Sequence, residues 1–392
     1  MTKKRKSKSS SKKNAGLSIG GIILIIIALC ALFAGERVGL VDVDWDAVMS
    51  GEDLDQVVST PKQDVVAVVP ATGKWYSLYF SSPQYPDEKD TRVDSISQGL
   101  VEAINSAQSS LDIAIYELDL KNVGEAILAA RDRGVTVRIV TDSDNIEELD
   151  TLIMLEEEGI PMVPDERSAI MHNKFAVIDN RAVWTGSYNF TPNGTYRNNN
   201  NAIFIQSPEL AANYATEFKE MFVDGEFGPK SPANTPNPKI MLGDTLIETC
   251  FAPEDECAVQ LVDLLSQAQN NIRFMAFSFT HDKIGQAVRD RAEAGVQVQG
   301  IFETRGSETE YSEYGLMRSQ GLDVWQDGNP YTLHHKVFII DDNTVVMGSY
   351  NFSKNADESN DENFLIIHNP EIATQFMAEF NRNLAQAQNR PN

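Results

Sequence analysis

The chain has 392 residues, 42% of them hydrophobic and 23% charged, a composition that excludes wholesale disorder and leaves room for two folded units. The formal charge of −24 is unevenly spread: residues 1–13 hold seven lysines and arginines and no acid, which leaves −31 for the rest. A body that acidic repels a nucleic-acid backbone overall, so a polyanion would need a local basic cleft.

Residues 1–14 form the basic tail. Residues 15–35 are uncharged and mostly apolar, and 21 such residues suffice to span a bilayer core as a helix. Lysines before the segment and Glu36, Asp42, Asp44 and Asp46 after it predict a single-pass protein with a cytoplasmic N-terminus and an extracytoplasmic body. The alternative is a cleaved signal peptide, but Leu32-Phe33-Ala34 fits a small-x-small cleavage site poorly. Cys30 also lacks the preceding small residue that a lipoprotein-type cleavage wants. Residues 36–70, acidic and then apolar, read as a stalk. Residues 71–225 form a first domain, 226–240 a proline-rich linker and 241–388 a second domain.

The two domains align. A helical stretch (96–108, 258–270) precedes a short apolar strand (111–116, 272–277) in each. A second helical stretch (123–133, 284–294) then stops at Gly134 or Gly295, the usual C-terminal signal, before another strand (135–140, 296–301). This order predicts an α/β fold of two duplicated α-β-α sandwich halves with mixed sheets, related by a pseudo-twofold axis and preceded by one transmembrane helix.

Cys250 and Cys257 lie seven residues apart, and in an exported body they form either a local disulfide or two free thiols. They lack the further histidine or cysteine that would complete a metal-ligand set.

The strongest functional signal is a phrase written twice, 162 residues apart. His172-Asn-Lys174 is followed by Phe-Ala-Val-Ile-Asp179, and His334-His-Lys336 by Val-Phe-Ile-Ile-Asp341. Each copy then reaches Gly-Ser-Tyr-Asn-Phe, at 186–190 and 348–352. Along a strand the first and third residues share a face, so imidazole and ammonium reach one side of the sheet. Two copies bring two histidines, two lysines and two asparagines around one pocket. One histidine can attack phosphorus while the other protonates the leaving oxygen, and the lysines offset the negative charge that develops. Ser187, Asn189, Ser349 and Asn351 are the candidate phosphate-binding groups. His281 and His368 lack this context and are read as structural.

Both strings resemble the HKD motif of the phospholipase D superfamily, over about residues 75–385. The resemblance implies a two-step mechanism through a phosphohistidine, with no metal or other cofactor. On this chain it implies His172 and His334 as nucleophile and acid, Lys174, Lys336, Asn189 and Asn351 on the phosphate, and Asp179 and Asp341 holding their strands. Family members place an acid about 28 positions after the motif histidine. Glu362 fits that place after His334, whereas Asn200 stands there after His172. A carboxylate favours a protonated imidazole, so Glu362 is expected to make His334 the resting acid and to leave His172 as the neutral nucleophile.

The expected function is a membrane-anchored phosphodiesterase acting on phospholipid head groups at a membrane surface, with no obligate protein partner. The alternatives are an endonuclease, a cardiolipin synthase-like phosphatidyltransferase and a non-catalytic phosphate-binding scaffold. Arg305, Arg197 and Lys354 would line a basic mouth in the nuclease reading, and are otherwise ordinary solvated residues.

Overall fold

The computed structural model describes residues 75–390 and the backbone of 42–43, 58–59 and 71–72. The expected anchor at 15–35 and the basic tail lie outside the described residues. Among those described, no helix is long and apolar enough to cross a membrane.

The first half builds an eight-stranded sheet from β1 (Ala71–Thr72), β2 (Tyr76–Phe80), β3 (Ser110–Ile115), β4 (Thr136–Thr141), β5 (Met162–Pro164), β6 (Lys174–Ile178), β7 (Ala182–Gly186) and β8 (Asn201–Gln206). Its spatial order is β1-β2-β8-β7-β6-β3-β4-β5. The second half supplies β9 (Lys239–Leu242), β10 (Thr245–Ala252), β11 (Asn271–Ala276), β12 (Gln297–Phe302), β13 (Asp323–Gln326), β14 (Lys336–Ile340), β15 (Thr344–Gly348) and β16 (Glu362–His368). The order β9-β10-β16-β15-β14-β11-β12-β13 repeats the first, strand for strand. Each sheet is mixed: β3-β4-β5 and β11-β12-β13 run parallel, and the remaining pairings are antiparallel.

The motif strands are buried on both faces, which is why they read as unbroken apolar runs. In β6, Phe175 and Val177 enter a central core while Ala176 and Ile178 enter an outer one. In β14, Val337 and Ile339 face the centre, and Phe338 and Ile340 face outward. The outer cores are closed by helices α1 (Ile96–Ser106), α2 (Lys121–Asp132) and α3 (Asp150–Glu157) on one side. Helices α5 (Cys257–Ser266), α6 (Asp282–Glu293) and α7 (Glu313–Ser319) close the other. The central core belongs to both halves. It joins the inner faces of the two sheets to α4 (Pro208–Lys219) and α8 (Pro370–Gln388), through Leu210, Tyr214 and Phe218 on one helix and Ile372, Phe376 and Phe380 on the other. One continuous apolar core therefore fixes the two motif strands relative to each other.

The halves also exchange backbone bonds reciprocally. His172 N–H donates to the Asp361 carbonyl and His334 N–H to the Asn199 carbonyl, each at 3.0 Å. Asp361 lies 162 residues after Asn199, the motif offset, so the pairing has the pseudo-twofold character that the duplication implied. Cys250 and Cys257 form a disulfide with a Cα–Cα distance of 5.8 Å, tying β10 to the start of α5.

Candidate active site

Each motif histidine ends the segment entering β6 or β14, and the lysine two positions later opens the strand. Lys174 Nζ donates to the His172 carbonyl at 2.7 Å, and Lys336 Nζ to the His334 carbonyl at 3.0 Å. An aromatic edge packs on each imidazole: Tyr116 on His172, with ring centroids 5.1 Å apart, and Phe277 on His334 at 4.7 Å. The same two rings lie under Lys174 and Lys336.

The four bases form one electrostatic cluster. Burial, followed by the charges of Lys174 and Lys336, holds both His172 and His334 well below the ordinary imidazole range. Burial brings Lys174 down to about 8, and burial with the Lys174 charge lowers Lys336 strongly. A buried group of four bases with depressed proton affinity is an anion site in waiting, since a bound phosphate reverses those shifts.

The histidine partners are crossed between the halves, contrary to the sequence expectation. His172 Nδ1 lies 2.8 Å from both Glu362 oxygens, whereas His334 Nδ1 lies 2.9 Å from Asn200 Oδ1. The reason is the reciprocal backbone pairing. Because Asp361 binds the backbone of His172, the next residue, Glu362, reaches the ring of the opposite half. Being 28 positions downstream placed it in the same half as His334 but opposite the other histidine. Burial pushes Glu362 up to about 8, against the pull of Lys174 and Lys336.

The serines also take a different place from that expected. Ser187 Oγ donates to Asn200 Oδ1 at 2.9 Å and accepts from Asn201 N–H at 3.1 Å. Ser349 Oγ accepts from Asn363 N–H at 3.0 Å. Both residues are fully buried, so their hydroxyls serve the strands that carry Asn200 and Glu362 rather than facing a phosphate. This arrangement explains the preceding glycines. A Cβ on Gly186 would sit 2.3 Å from the Asn201 carbonyl oxygen, and one on Gly348 would sit 2.2 Å from that of Asn363. Only glycine lets the chains approach this closely.

Asn189 Nδ2 donates to Glu117 Oε2 at 2.6 Å, while its Oδ1 and that of Asn351 have no partner among the described residues. Those two oxygens are acceptors, so recognising phosphate through these residues requires the amide nitrogens. Asp179 accepts from the backbone N–H groups of Gln108, Ser109 and Ser110, and Asp341 from those of Gln269, Asn270 and Asn271. They pin the far ends of the motif strands. His281 pairs with Asp357, and His368 with Glu248 and Thr344, away from the cluster.

Sequence reasoning missed three elements. Glu117, aligned with Ser278, holds Asn189. The middle motif residues, Asn173 and His335, tie the halves together: Asn363 Nδ2 donates to Asn173 Oδ1 at 2.6 Å, and Asn201 Nδ2 lies 2.8 Å from His335 Nδ1. Behind them sit Glu217, 3.4 Å from Asn173 Nδ2, and Glu379, 3.0 Å from His335 Nε2. Glu217 and Glu379 are again 162 residues apart, the one signal in the sequence that relates them.

A family model described as the PLD-like domain of cardiolipin synthase matches residues 100–222 and again 261–384, most of both halves. The chain belongs to the phospholipase D superfamily. It is 30% identical over 151 residues to a phospholipase D of Rickettsia bellii, a match covering 37% of this chain and 75% of that one. It is 31% identical over 120 residues to a mitochondrial cardiolipin hydrolase of Chlamydomonas reinhardtii, covering 30% of this chain and 54% of that one. The chain thus spans about half the length of that hydrolase. A phosphatidylserine synthase of Haemophilus influenzae shares the fold, with a TM-score of 0.56 at 15% identity over 75% of this chain and 84% of that one. Among these relatives the chain is a phospholipase D-like hydrolase.

Proposed function

We propose that the chain is a membrane-anchored phosphodiesterase that cleaves a phospholipid head group through a phosphohistidine on His172. The observation that carries this reading is the crossed pair of partners: a carboxylate on His172 and an amide on His334. His172 donates its Nδ1 proton to Glu362, which leaves an Nε2 lone pair to attack phosphorus. The bond from phosphorus to the head-group oxygen breaks, and that oxygen takes the Nε2 proton of His334. His172 starts neutral and ends as a positively charged phosphoryl-imidazole, the state a carboxylate stabilises. His334 starts charged and ends neutral. An amide accepts its Nδ1 proton in both states and leaves it a stronger acid. In the second step water attacks phosphorus and gives a proton to His334, and the phosphorus–nitrogen bond electrons return to His172. Lys174 and Lys336 offset the charge on the non-bridging oxygens throughout.

This keeps His172 as nucleophile on a different ground from the one the sequence suggested. Ser187 and Ser349 are positioning residues in this scheme, and Glu117 fixes Asn189.

Three observations support lipid over nucleic acid. Arg197 is paired with Asp87, Arg305 with Glu303 and Lys354 with Glu358, so the cations of the suggested basic mouth are already neutralised. Asp142 and Glu117 are close enough to Lys174 to act on its charge, and both would repel a long polyanion. The apolar segment at 15–35 would hold the site near lipid and raise its effective concentration. The Cys250–Cys257 disulfide fits an oxidising, extracytoplasmic setting. Protease protection in sealed vesicles checks that side: a body digested from the cytoplasmic face would contradict it. A second reading, transfer of the phosphatidyl group to an alcohol, is favoured by the description of the matching family model.

The full chain should be offered phosphatidylcholine, phosphatidylglycerol and cardiolipin vesicles and single-stranded DNA. Release of phosphatidic acid is expected, with a phosphatidyl-alcohol appearing when glycerol is added if transfer dominates. Cleavage of DNA alone would replace the lipid reading, and turnover of none of them would overturn it.

A further inference from the structure

The positions behind the middle motif residues differ between the halves in one consequential way. In the second half, buried Glu379 is surrounded by donors: His335 Nε2 at 3.0 Å, Arg382 Nη2 at 2.6 Å and Asn383 Nδ2 at 2.7 Å. In the first half, Glu217 meets Asn173 in place of His335, and the position of Arg382 is taken by Glu220. A third carboxylate, Glu254, enters from the turn after β10. One oxygen from each of Glu217, Glu220 and Glu254 lies within 4.8 Å of the others. Glu217 and Glu220 are only 3% and 4% exposed, and Glu220 Oε2, inside this group, has no hydrogen-bond partner among the described residues. The nearest guanidinium, Arg167, is committed to Asp165 and Asp361.

We propose that Glu217, Glu220 and Glu254 form a buried divalent-cation site of calcium-type, all-oxygen chemistry, supplying to the first half the positive charge that His335 and Arg382 supply to the second. Two ligands on opposite sides of a calcium ion, each about 2.4 Å away, are about 4.8 Å apart, so three oxygens spaced as these are can share one ion. Three carboxylates buried together without a cation carry a large desolvation and repulsion cost. That cost shows in the free site: burial raises Glu217 well above the carboxylate range, Glu254 to about 8 and Glu220 to about 7. Glu379, by contrast, is held down to about 2: the Arg382 charge and the His335 bond outweigh its burial. Asp224, Glu226, Asp255 and Asp361 also face the group, and all are acids. The ion would sit behind Asn173 rather than at the phosphate, bracing the strand that carries His172 and Lys174. It takes no part in the phosphodiester chemistry.

The test uses the full chain in mild detergent, stripped with chelator, returned to pH 8 and titrated with calcium chloride. Radioactive-calcium equilibrium dialysis should find one ion per chain, and the unfolding midpoint should rise by roughly 5 °C at about 100-fold excess over the dissociation constant. The rise should shrink at pH 5.5, where protons compete for the same oxygens. Glu220→Gln should weaken binding by about tenfold or more. Glu220→Arg copies Arg382 of the other half, so it should fold, abolish calcium binding and melt in chelator no lower than the parent. No bound calcium with an unmoved midpoint would overturn the site, as would calcium binding that survives Glu220→Arg. Neither readout involves substrate turnover, so the outcome is independent of the proposed reaction.

Discussion

The two halves share one strand order and one residue offset, yet they differ at nearly every position that touches a motif residue. Glu362 on one histidine answers Asn200 on the other, Tyr116 answers Phe277, Glu117 answers Ser278, and His335 with Arg382 answers Asn173 with Glu220. The disulfide belongs to the second half alone among the described residues. Duplication accounts for the geometry, because a shared central core and reciprocal backbone bonds bring two equivalent strands to one place. Divergence accounts for the chemistry, because a nucleophile and an acid need opposite charge changes and so different partners.

The comparison breaks most visibly at the histidines. His172→Ala should lower kcat by about 10⁴-fold or more on every substrate, since it removes the bond-forming atom. His334→Ala should be comparably slow with an alkyl leaving group, but it should keep a rapid first turnover when the leaving group needs no proton. Stopped-flow release of an activated phenol separates the two, and equal loss in both variants would mean the roles are not divided.

Exchanging the partners sharpens the point. Glu362→Gln should cost about 10²–10³-fold in kcat/KM. In the parent, the Glu362–His172 pair must lose a proton before His172 can attack, and burial raises Glu362 to about 8, so kcat/KM should climb with pH towards 8. That limb should vanish in the Gln variant. Asn200→Asp gives both histidines a carboxylate. It should cost about tenfold or less and move the basic limb upward, because the acid then holds its proton more firmly. A pH profile unchanged in both variants would remove the partners from the account. The smallest effect belongs to the structural asymmetry: replacing Cys250 and Cys257 by serine should lower stability by roughly 2–3 kcal/mol, from loop closure alone, and leave kcat unchanged. Calorimetry with a parallel turnover assay reads both.

Much of this was legible in the chain. The repeated strings marked β6 and β14, their apolar runs marked strands buried on both faces, and Gly134 and Gly295 marked the ends of matching helices. The crossing of Glu362 and Asn200 was not legible, because pairing between halves leaves no trace in local spacing. Position 28 after a histidine says which strand a residue opens, not which ring it faces. Ser187 and Ser349 looked like phosphate donors because a hydroxyl beside a conformationally special glycine suggests exposure. The glycine instead admits a neighbouring strand, and the serine is buried by it. The carboxylates at 217, 220 and 254 were hidden for another reason: two sit on a helix and one on a distant turn, and only the central core joins them. Carrying the 162-residue offset beyond the motifs would have set Glu220 opposite Arg382 and exposed the missing charge.

The division of labour between the two histidines is tested most directly by catching the covalent intermediate. Acid-free quenching of the first turnover, followed by peptide mapping, should place the phosphoryl adduct on Nε2 of His172, with accumulation enhanced in His334→Ala. An adduct on His334, or one that persists in His172→Ala, would contradict the assignment.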